Sequence, residues 1–366
     1  MTIPGPDTNG IIAALLDDLA AVQESVQSRR GYKRAAATIF GLEESIESLR
    51  NADGSLTKIP NVGPKSERVV LEVLQSGASA TVESAISKAG KVSDIAARRK
   101  LRDRFLSRAQ VVKVLHDDAL AGPSTDVYRG DFQMHSTWSD GSQTLEEIAA
   151  AGIELGYQCS AVTDHSHGLR IARGVSMADL EQQHREIDAV NAAFRGRFRL
   201  FKGIEANIAA DGSMDLTADE LTRFELVVAA PHSALRSSAD QTARMKTAVE
   251  TVGVHILGHP RGRMYGSRAG IIADWDVVFA AAAQTGVAIE IDGDPARQDI
   301  DYELARDALQ AGCLFALDSD AHSTPELRYA QTAIAHARLA GIPPERIVNC
   351  WTLDRLSEWL AARQKA

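Results

Sequence analysis

The sequence predicts a small all-α domain followed by an α/β barrel of seven strand and helix units, a (β/α)7 arrangement similar to a TIM barrel. The first observation is that short apolar runs recur after residue 128, separated by segments rich in Ala, Glu and Leu. The second is that most of these runs end in histidine or an acidic residue. Because the carboxyl ends of parallel strands meet at one mouth, these residues should gather there. The runs lie at 130–135, 159–165, 198–205, 226–232, 254–259, 287–291 and 314–322.

Two domains are expected because 366 residues exceed what one hydrophobic core usually organises. Residues 9–120 show a helical spacing of apolar side chains, as at Ile11, Leu15 and Leu19, and contain no convincing strand. Residues 121–127 are predicted to be a linker because they are rich in Gly, Pro and Ser. Residues 128–366 are predicted to form the barrel.

A turn rich in Pro, Asn and Gly lies between two predicted short helices in residues 56–74. It resembles the helix-hairpin-helix module, in which backbone amides at a helix N-terminus face a DNA phosphate without reading the base sequence. Asn61 stands where the module usually has its first glycine, and Asn accepts a positive φ better than most residues. The resemblance implies DNA binding, although such hairpins also serve as plain helical connectors. The implied contacts are Asn61, Val62, Gly63 and Lys65.

The composition indicates a globular protein of a reducing compartment. No stretch approaches the roughly 20 apolar residues of a membrane span, and the first residues lack the basic and apolar regions of a signal peptide. Three unevenly spaced cysteines argue against a disulfide framework. We therefore expect a cytoplasmic protein with no membrane partner.

The net charge of -9 is unevenly distributed along the chain. Residues 1–120 carry a slight basic excess, concentrated between Lys91 and Lys113, and the remainder is acidic. Carboxylates that offset bound metal ions would make a barrel acidic, and so would an ordinary acidic surface. The basic stretch fits either a solvated helix face or interdomain strut, or a surface that follows phosphates.

Eight residues of metal-ligating type follow the predicted strands. Imidazole and carboxylate together suit zinc, manganese or iron, and the two oxygens of Glu205 could bridge two ions. A single histidine is more often a core or surface group than a ligand, so the indication comes from recurrence after six strands. His255, inside its run, is predicted to be a core residue. His116, His184 and His336, in polar helical stretches, are predicted to be surface groups. The eight are His135, Asp140, His165, Glu205, His232, His259, Asp320 and His322.

Gly130 to Leu360 resembles a PHP (polymerase and histidinol phosphatase) domain, specifically the one that ends bacterial family X DNA polymerases. Residues 9–120 resemble the helical region that begins those polymerases. The resemblance implies a distorted barrel that holds two or three divalent metal ions, which would be zinc, manganese or iron. Gln133 stands where many members have a further histidine, and its neutral amide oxygen is a weaker ligand. The first ion would be held by His135, Asp320 and Glu205, the second by Glu205, His232 and His259, and the third by Asp140, His165 and His322.

The resemblance also implies a phosphoesterase in which paired metal ions activate a hydroxide. Glu205 and Asp320 would orient the hydroxide, and His322 completes the predicted catalytic residues. Asp164 is interpreted as supporting the metal geometry of its neighbour. Arginines after the strand ends could bind substrate phosphate through two hydrogen bonds, although each alone could equally form a surface salt bridge. The predicted phosphate-binding residues are Arg170, Arg173, Arg261, Arg263, Arg297 and His167.

A family X polymerase needs a catalytic domain of about 200 residues between its helical region and its barrel. Only the linker stands there, so no polymerase activity is predicted. The leading hypothesis is a metal-dependent phosphoesterase that acts on DNA ends, of the 3′–5′ exonuclease or 3′-phosphatase type. One alternative is a small-molecule phosphatase of the histidinol-phosphatase kind. Another is a non-catalytic DNA-binding or scaffold protein with a structural metal cluster. The metal, the polarity of cleavage and the oligomeric state stay open.

Overall fold

The structure is a computed structural model that describes residues 5–365. Its chain divides into two compact units. The first comprises Met1–Asp118 and Tyr265–Ser267, and the second comprises Ala119–Met264 and Arg268–Ala366. No helix within the described residues is long and apolar enough to cross a membrane.

The described part of the first unit is built from α-helices around one apolar core. Ile12 and Leu16 of the first helix and Ile39 of the second are fully buried in this core. Side-chain caps begin several of the helices: Ser25 and Ser79 each accept a hydrogen bond from the backbone N–H three residues later. The helices are α1 Thr8–Ala21, α2 Val26–Phe40, α3 Pro64–Ser76, α4 Ala80–Lys88, α5 Val92–Lys100 and α6 Arg108–Leu115.

Residues 56–59, ahead of the predicted hairpin, form no helix, so the prediction of a helix there is wrong. Leu56 forms an antiparallel bridge with Arg50, and the Thr57 N–H donates to the carbonyl of Leu49 at 2.9 Å. The proline at position 60 also disfavours a helical conformation for the residue before it. The helical turn that precedes the hairpin is a short 3-10 helix at Ile46–Leu49.

The hairpin itself has the backbone that its sequence predicts. Asn61 has a φ of 62°, the left-handed conformation that glycine adopts in such turns. Gly63 precedes the first residue of α3, Pro64, and no side chain caps this helix. A proline at the first helical position is favourable because its missing N–H would have no partner there. The first turn of α3 therefore begins without a side-chain cap.

Six parallel strands form one sheet in the order β1 to β6 in the second unit. The strands are buried on almost every residue, as expected where helices cover one face and barrel side chains fill the other. The strands are β1 Cys159–Val162, β2 Arg199–Asn207, β3 Leu226–Ala230, β4 Ile256–Leu257, β5 Ala288–Asp292 and β6 Leu314–Asp318. The helices are α7 Leu145–Glu154, α8 Leu180–Ala193, α9 Ala218–Leu221, α10 Thr242–Glu250, α11 Trp275–Thr285, α12 Tyr302–Gln310, α13 Ala330–Ala340 and α14 Leu353–Arg363.

The α/β class is confirmed, but the count of seven strands is wrong for the described residues. Residues 130–135, which we name the closing segment, are extended and lie between β1 and β6 without forming a regular strand. The carbonyl of Asp131 accepts from Ala161 N at 3.0 Å on the β1 side, and His135 N donates to Ala321 O at 2.8 Å on the β6 side. The segment thus occupies the place of the missing strand.

Side chains explain the irregularity of the closing segment. Phe132 N donates to the carboxylate of Asp318 at 2.8 Å, and Met134 N donates to the hydroxyl of Thr163 at 3.1 Å. These N–H groups would bond to carbonyls in a regular strand. Polar side chains inside the barrel therefore replace part of the expected ladder.

Candidate metal centre

The predicted ligands stand at one end of the barrel because most of them lie near or just after the carboxyl end of a parallel strand. His165 follows β1, Glu205 lies near the end of β2, and His232 follows β3. The same placement holds for His259 after β4 and for Asp320 after β6. His135 ends the closing segment and meets the loop after β6 through its backbone.

Glu205 lies among four imidazole rings. Its Oε1 is 2.9 Å from His259 Nε2 and 3.4 Å from His232 Nε2. Its Oε2 is 2.6 Å from His165 Nδ1 and 3.6 Å from His135 Nε2. The residue is 1% exposed. A carboxylate with each oxygen directed at two imidazoles has the geometry of a ligand shared between two ions.

Two further groups of donor atoms adjoin Glu205. Asp140 Oδ1 lies 3.6 Å from His165 Nε2 and 3.5 Å from His322 Nε2. Asp320 Oδ1 lies 3.1 Å from His135 Nε2. The structure thus brings together all eight residues of metal-ligating type. Two sets of donor atoms lie within 4.8 Å of one another, His135, Asp140, His165 and His322 in one and His165, Glu205 and His232 in the other, so His165 belongs to both.

The chemistry of the donors fits divalent cations. Glu205 Oε2 and His165 Nδ1 are buried and close together, yet neither has a hydrogen bond of acceptable geometry. Burial would raise the pKa of Glu205, but His165 and His232 outweigh it and hold that pKa well below its usual range. Burial lowers the pKa of His165, but nearby carboxylates, chiefly Glu205, outweigh burial and raise this pKa to about 9. A buried, ionised carboxylate requires positive charge from its neighbours, and a bound metal ion would supply that charge.

Two of the predicted ligands are held in strained backbone conformations. His259 has a φ of 24° and Asp320 has a φ of 52°, and neither is glycine. Such conformations cost roughly 1–3 kcal/mol each and persist where the surrounding structure fixes them. Part of that fixing is visible at His259, whose backbone N–H donates to the buried carboxylate of Glu290.

Gln133 is fully buried in the closing segment, two residues before His135. Its amide oxygen accepts a hydrogen bond from the Thr163 hydroxyl at 3.2 Å, and its Nε2 has no partner among the described residues. The oxygen that would bind the first ion is therefore already in contact with a hydroxyl donor.

The predicted phosphate-binding residues divide into three sets. Arg297 reaches the ligand groups, with Nη1 2.7 Å from Asp320 Oδ2. Arg261 and Arg263 both contact Asp301, at 3.2 and 2.9 Å, so they brace the chain after β5. The third set, Arg170, Arg173 and His167, is exposed on the loop after β1.

Asp164 supports the site through the chain that joins two ligands. Its carboxylate accepts from Ser136 N and Oγ at 2.8 and 2.6 Å, and from Ser139 Oγ at 2.5 Å. Gln183 Nε2 of α8 donates to the same carboxylate at 2.7 Å. Asp164 therefore orders residues 136–139, which connect His135 to Asp140.

Sequence reasoning missed several polar residues beneath the centre. Asn207 accepts from His232 and was not identified, although it lies two residues after Glu205 in the same strand and so shares its face. A role for the acidic residues inside the apolar runs was not predicted either. Burial raises the pKa of Glu290 and Asp292 well above their usual range, and that of Asp318 to about 7.

Comparisons with known proteins identify relatives of this chain. No protein-family model matches the chain. The chain is 37% identical over 233 residues to the DNA polymerase/3′-5′ exonuclease PolX of Bacillus subtilis (strain 168), which covers 63% of this chain and 41% of the relative. It is 26% identical over 240 residues to a probable phosphatase of Shewanella sp. (strain W3-18-1), covering 61% of this chain and 88% of the relative. A third relative is the probable phosphatase YcdX of Shigella flexneri, 26% identical over 252 residues, covering 66% of this chain and 97% of the relative.

Among solved structures, the histidinol phosphate phosphatase of Lactococcus lactis subsp. lactis Il1403, complexed with zinc, L-histidinol and phosphate, matches with a TM-score of 0.42 and 17% identity. The match covers 57% of this chain and 94% of that chain.

A parallel α/β barrel that gathers imidazoles and carboxylates at one mouth defines a class of metal-dependent hydrolases. Within this class the chain is related to PolX and to the probable phosphatases, and the resemblance predicted from the sequence is confirmed at the level of this relationship. The chain spans 41% of the length of the Bacillus relative.

Proposed function

We propose that this protein is a metal-dependent phosphoesterase that acts on DNA ends, as a 3′–5′ exonuclease or a 3′-phosphatase. The observation that carries the hydrolytic part is the position of Glu205 between four imidazoles at the barrel mouth. In this proposal two or three divalent ions of zinc, manganese or iron occupy the three ligand groups, and Gln133 is the weakest ligand. Such ions polarise phosphoryl oxygens and lower the pKa of water.

The residues of the chain would divide the remaining work. Glu205, Asp320 and His322 are the proposed catalytic residues: Glu205 is shared between two ligand groups, Asp320 contacts His135, and His322 contacts Asp140. Arg297, beside Asp320, is placed to bind a phosphate oxygen. Arg170, Arg173 and His167 would bind the phosphates that follow along the strand. Arg261 and Arg263 form ion pairs with Asp301, so they are less available to bind substrate phosphate.

DNA binding is assigned to residues 9–120, linked by residues 121–127 to the hydrolytic barrel of residues 128–366. Asn61 in the left-handed conformation, followed by the uncapped N-terminus of α3, presents backbone amides and the exposed Lys65. Helix N-termini favour phosphate through their N–H groups and dipole. A cavity of about 460 Å³ adjoins this hairpin and is lined by Tyr32, Asn61, Gly63 and Lys65 among others. The name of the Bacillus relative supports a 3′–5′ exonuclease.

The test is hydrolysis by the full-length protein after loading with Mn²⁺ or Zn²⁺. The substrates are an end-labelled oligonucleotide, the same oligonucleotide with a 3′-phosphate, a generic phosphodiester and a generic phosphomonoester. We expect shortening or 3′-dephosphorylation of the oligonucleotide, and loss of this activity in His232→Ala with the fold kept. An oligonucleotide left intact by metal-loaded protein would contradict the DNA-end proposal.

A small-molecule phosphatase is the second candidate, and one observation favours it. The probable phosphatases from Shewanella and Shigella are matched over 88% and 97% of their own length by about two thirds of this chain. Hydrolysis of the phosphomonoester without action on either oligonucleotide would select this candidate. A protein that binds metal but hydrolyses none of the substrates would instead be a DNA-binding or scaffold protein.

A further inference from the structure

Asp215 lies outside the candidate ligand groups but is joined to one of them by hydrogen bonds. It follows a short turn after β2, where its N–H donates to the carbonyl of Asn207 at 3.1 Å. Its Oδ1 accepts from Asn207 N at 2.9 Å, and its Oδ2 accepts from Asn207 Nδ2 at 2.7 Å. Asn207 Oδ1 in turn lies 2.6 Å from His232 Nδ1. Asp215, Asn207 and His232 therefore form one relay.

The direction of every hydrogen bond in this relay follows from the carboxylate. An ionised carboxylate only accepts, so the amide group of Asn207 must turn its Nδ2 toward Asp215. Its Oδ1 then faces His232, which leaves His232 Nδ1 as the donor. An imidazole protonated at Nδ1 keeps the lone pair of Nε2 free, and Nε2 is the atom directed at Glu205.

Ser166 completes the relay and connects it to the loop after β1. Its hydroxyl donates to Asp215 Oδ2 at 2.6 Å and accepts from Asn207 Nδ2 at 3.1 Å. Gly168 lies so close that a Cβ there would stand 1.9 Å from Asp215 Oδ2. Asp215 is thus fixed on several sides, and it cannot rotate away from Asn207 without displacing the loop that begins at His165.

We infer that Asp215 is a positioning residue that sets the tautomer of His232, through the amide of Asn207, so that Nε2 can bind a metal ion. The inference rests on the proposed role of His232 as a ligand. Groups that orient a metal-bound histidine through its second nitrogen typically contribute about 10- to 100-fold in metal affinity. Asp215 would do so across an intervening amide, without touching the histidine.

Asp215→Asn is the decisive variant because it keeps the shape of the side chain and removes only the constraint on the direction of the hydrogen bonds. A carboxamide at position 215 can offer its own N–H groups to Asn207, which allows the Asn207 amide to turn and His232 to hold its proton on Nε2. We expect about a 10-fold or greater loss of affinity for one ion per chain, measured by competition with a chromophoric chelator. Asp211→Asn is the matched control, because Asp211 lies in the same turn but, among the residues that the structure describes, accepts only from Ser213.

The tautomer has its own readout in the metal-free full-length protein, by ¹⁵N NMR of its histidine rings, with His232 assigned from a His232→Gln sample. At a pH above the ordinary histidine range, where the ring is neutral, we expect the proton on Nδ1 in the wild type and in Asp211→Asn, and a shift toward Nε2 in Asp215→Asn. Asn207→Asp should keep the proton on Nδ1, since the oxygen that faces His232 accepts even if the opposite oxygen shares a proton with Asp215. This second variant keeps the test open if Asp215→Asn folds poorly.

The double variant Asn207→Asp with Asp215→Asn tests the direction of the hydrogen bonds separately from the packing of the two side chains. It reverses the donor and the acceptor between the two side chains while still presenting an acceptor to His232, so metal affinity should recover toward that of the wild type. Unchanged metal affinity and an unchanged tautomer in Asp215→Asn would overturn the inference, as would failure of the double variant to recover. A changed tautomer with full metal affinity would instead show that His232 is not a ligand, which refutes the metal assignment. None of these measurements requires hydrolysis, so a failed activity assay leaves them decisive.

Discussion

At the scale of single residues, the candidate centre combines groups that the sequence reveals with groups that it hides. The ligands could be predicted because imidazoles and carboxylates recur after apolar runs, and parallel strands bring such positions together. Asn207 and Asp215 could not, because their role depends on which side of an amide faces which neighbour. His336 was predicted to lie at the surface, which is wrong: α13 is buried on all sides, and this ring bonds to Gln298 at 2.8 Å.

Replacement of Gln133 by histidine should raise affinity for the first metal ion. Gln133 offers a neutral amide oxygen that already accepts from Thr163, whereas an imidazole nitrogen is a stronger ligand for zinc, manganese or iron. We expect Gln133→His to increase the number of ions retained per chain after dialysis, measured by elemental analysis. Gln143→His, which changes a partly buried glutamine in the following loop, is the control. Equal metal content in Gln133→His and wild type would count against position 133 as part of the site.

His255 should make the stability of the barrel depend on pH. Its Nδ1 accepts from Val227 N and its Nε2 contacts Leu360 O, and burial lowers its pKa to about 4. The unfolded chain, with an ordinary histidine pKa of about 6.5, binds this proton more readily between pH 4 and 6.5. The contribution of His255 to stability is therefore full above pH 6.5 and decreases as the pH falls toward 4, by about 3 kcal/mol.

The measurement is the difference in unfolding free energy between the wild type and His255→Gln across this pH range. The cost of the substitution at pH 7 should shrink as the pH falls, because only the wild type loses the histidine contribution. His116→Gln, at an exposed position, should leave the pH dependence unchanged. A difference that stays constant from pH 7 to pH 4 would refute the assignment.

At the scale of secondary structure, the strands of the barrel could be predicted, but the closing segment could not be distinguished from them. Its apolar pattern is that of a strand, and the side chains that take its N–H groups, Asp318 and Thr163, come from distant positions. The prediction of a helix before the hairpin is wrong for a similar reason. Leu56 pairs with Arg50, a local tertiary contact that overrides helical spacing.

Gly130→Ala should destabilise the second unit by disturbing the closing segment. A Cβ at this position would lie 1.8 Å from the carbonyl oxygen of Cys159, so the segment would have to move away from β1. Overpacking of this kind costs roughly 1–3 kcal/mol. All four tryptophans lie in the second unit, at positions 138, 275, 351 and 359, so their fluorescence in a denaturant titration follows this unit.

Gly31→Ala provides the comparison for Gly130→Ala. Gly31 lies in α2 of the first unit, where an added Cβ meets nothing within 4 Å. It should leave the tryptophan transition in place while raising helix stability by up to about 1 kcal/mol. A tryptophan transition that Gly130→Ala does not shift would mean that the closing segment contributes little to the barrel.

At the scale of the whole molecule, the chain carries a net charge of -9 yet is proposed to bind a polyanion. We assign DNA binding to the first unit, where basic residues are in slight excess, and hydrolysis to the second unit. Ions bound by the carboxylates of the barrel would reduce its repulsion of phosphate. The contribution of the hairpin to DNA binding is therefore tested by substitution.

Lys65→Glu should weaken DNA binding by the full-length protein without slowing hydrolysis of a small phosphodiester. Lys65 is exposed in the first turn of α3, beside the uncapped amides of the hairpin. Each phosphate contact contributes a slope of about -0.9 to the dependence of log binding constant on log salt, so the variant should lose roughly one such unit. Lys88→Glu, which makes the same charge change at an exposed site at the end of α4, should lower affinity less and keep the slope nearer that of the wild type. Equal effects of the two substitutions would mean that DNA responds only to the net charge of the first unit and that the hairpin makes no phosphate contact.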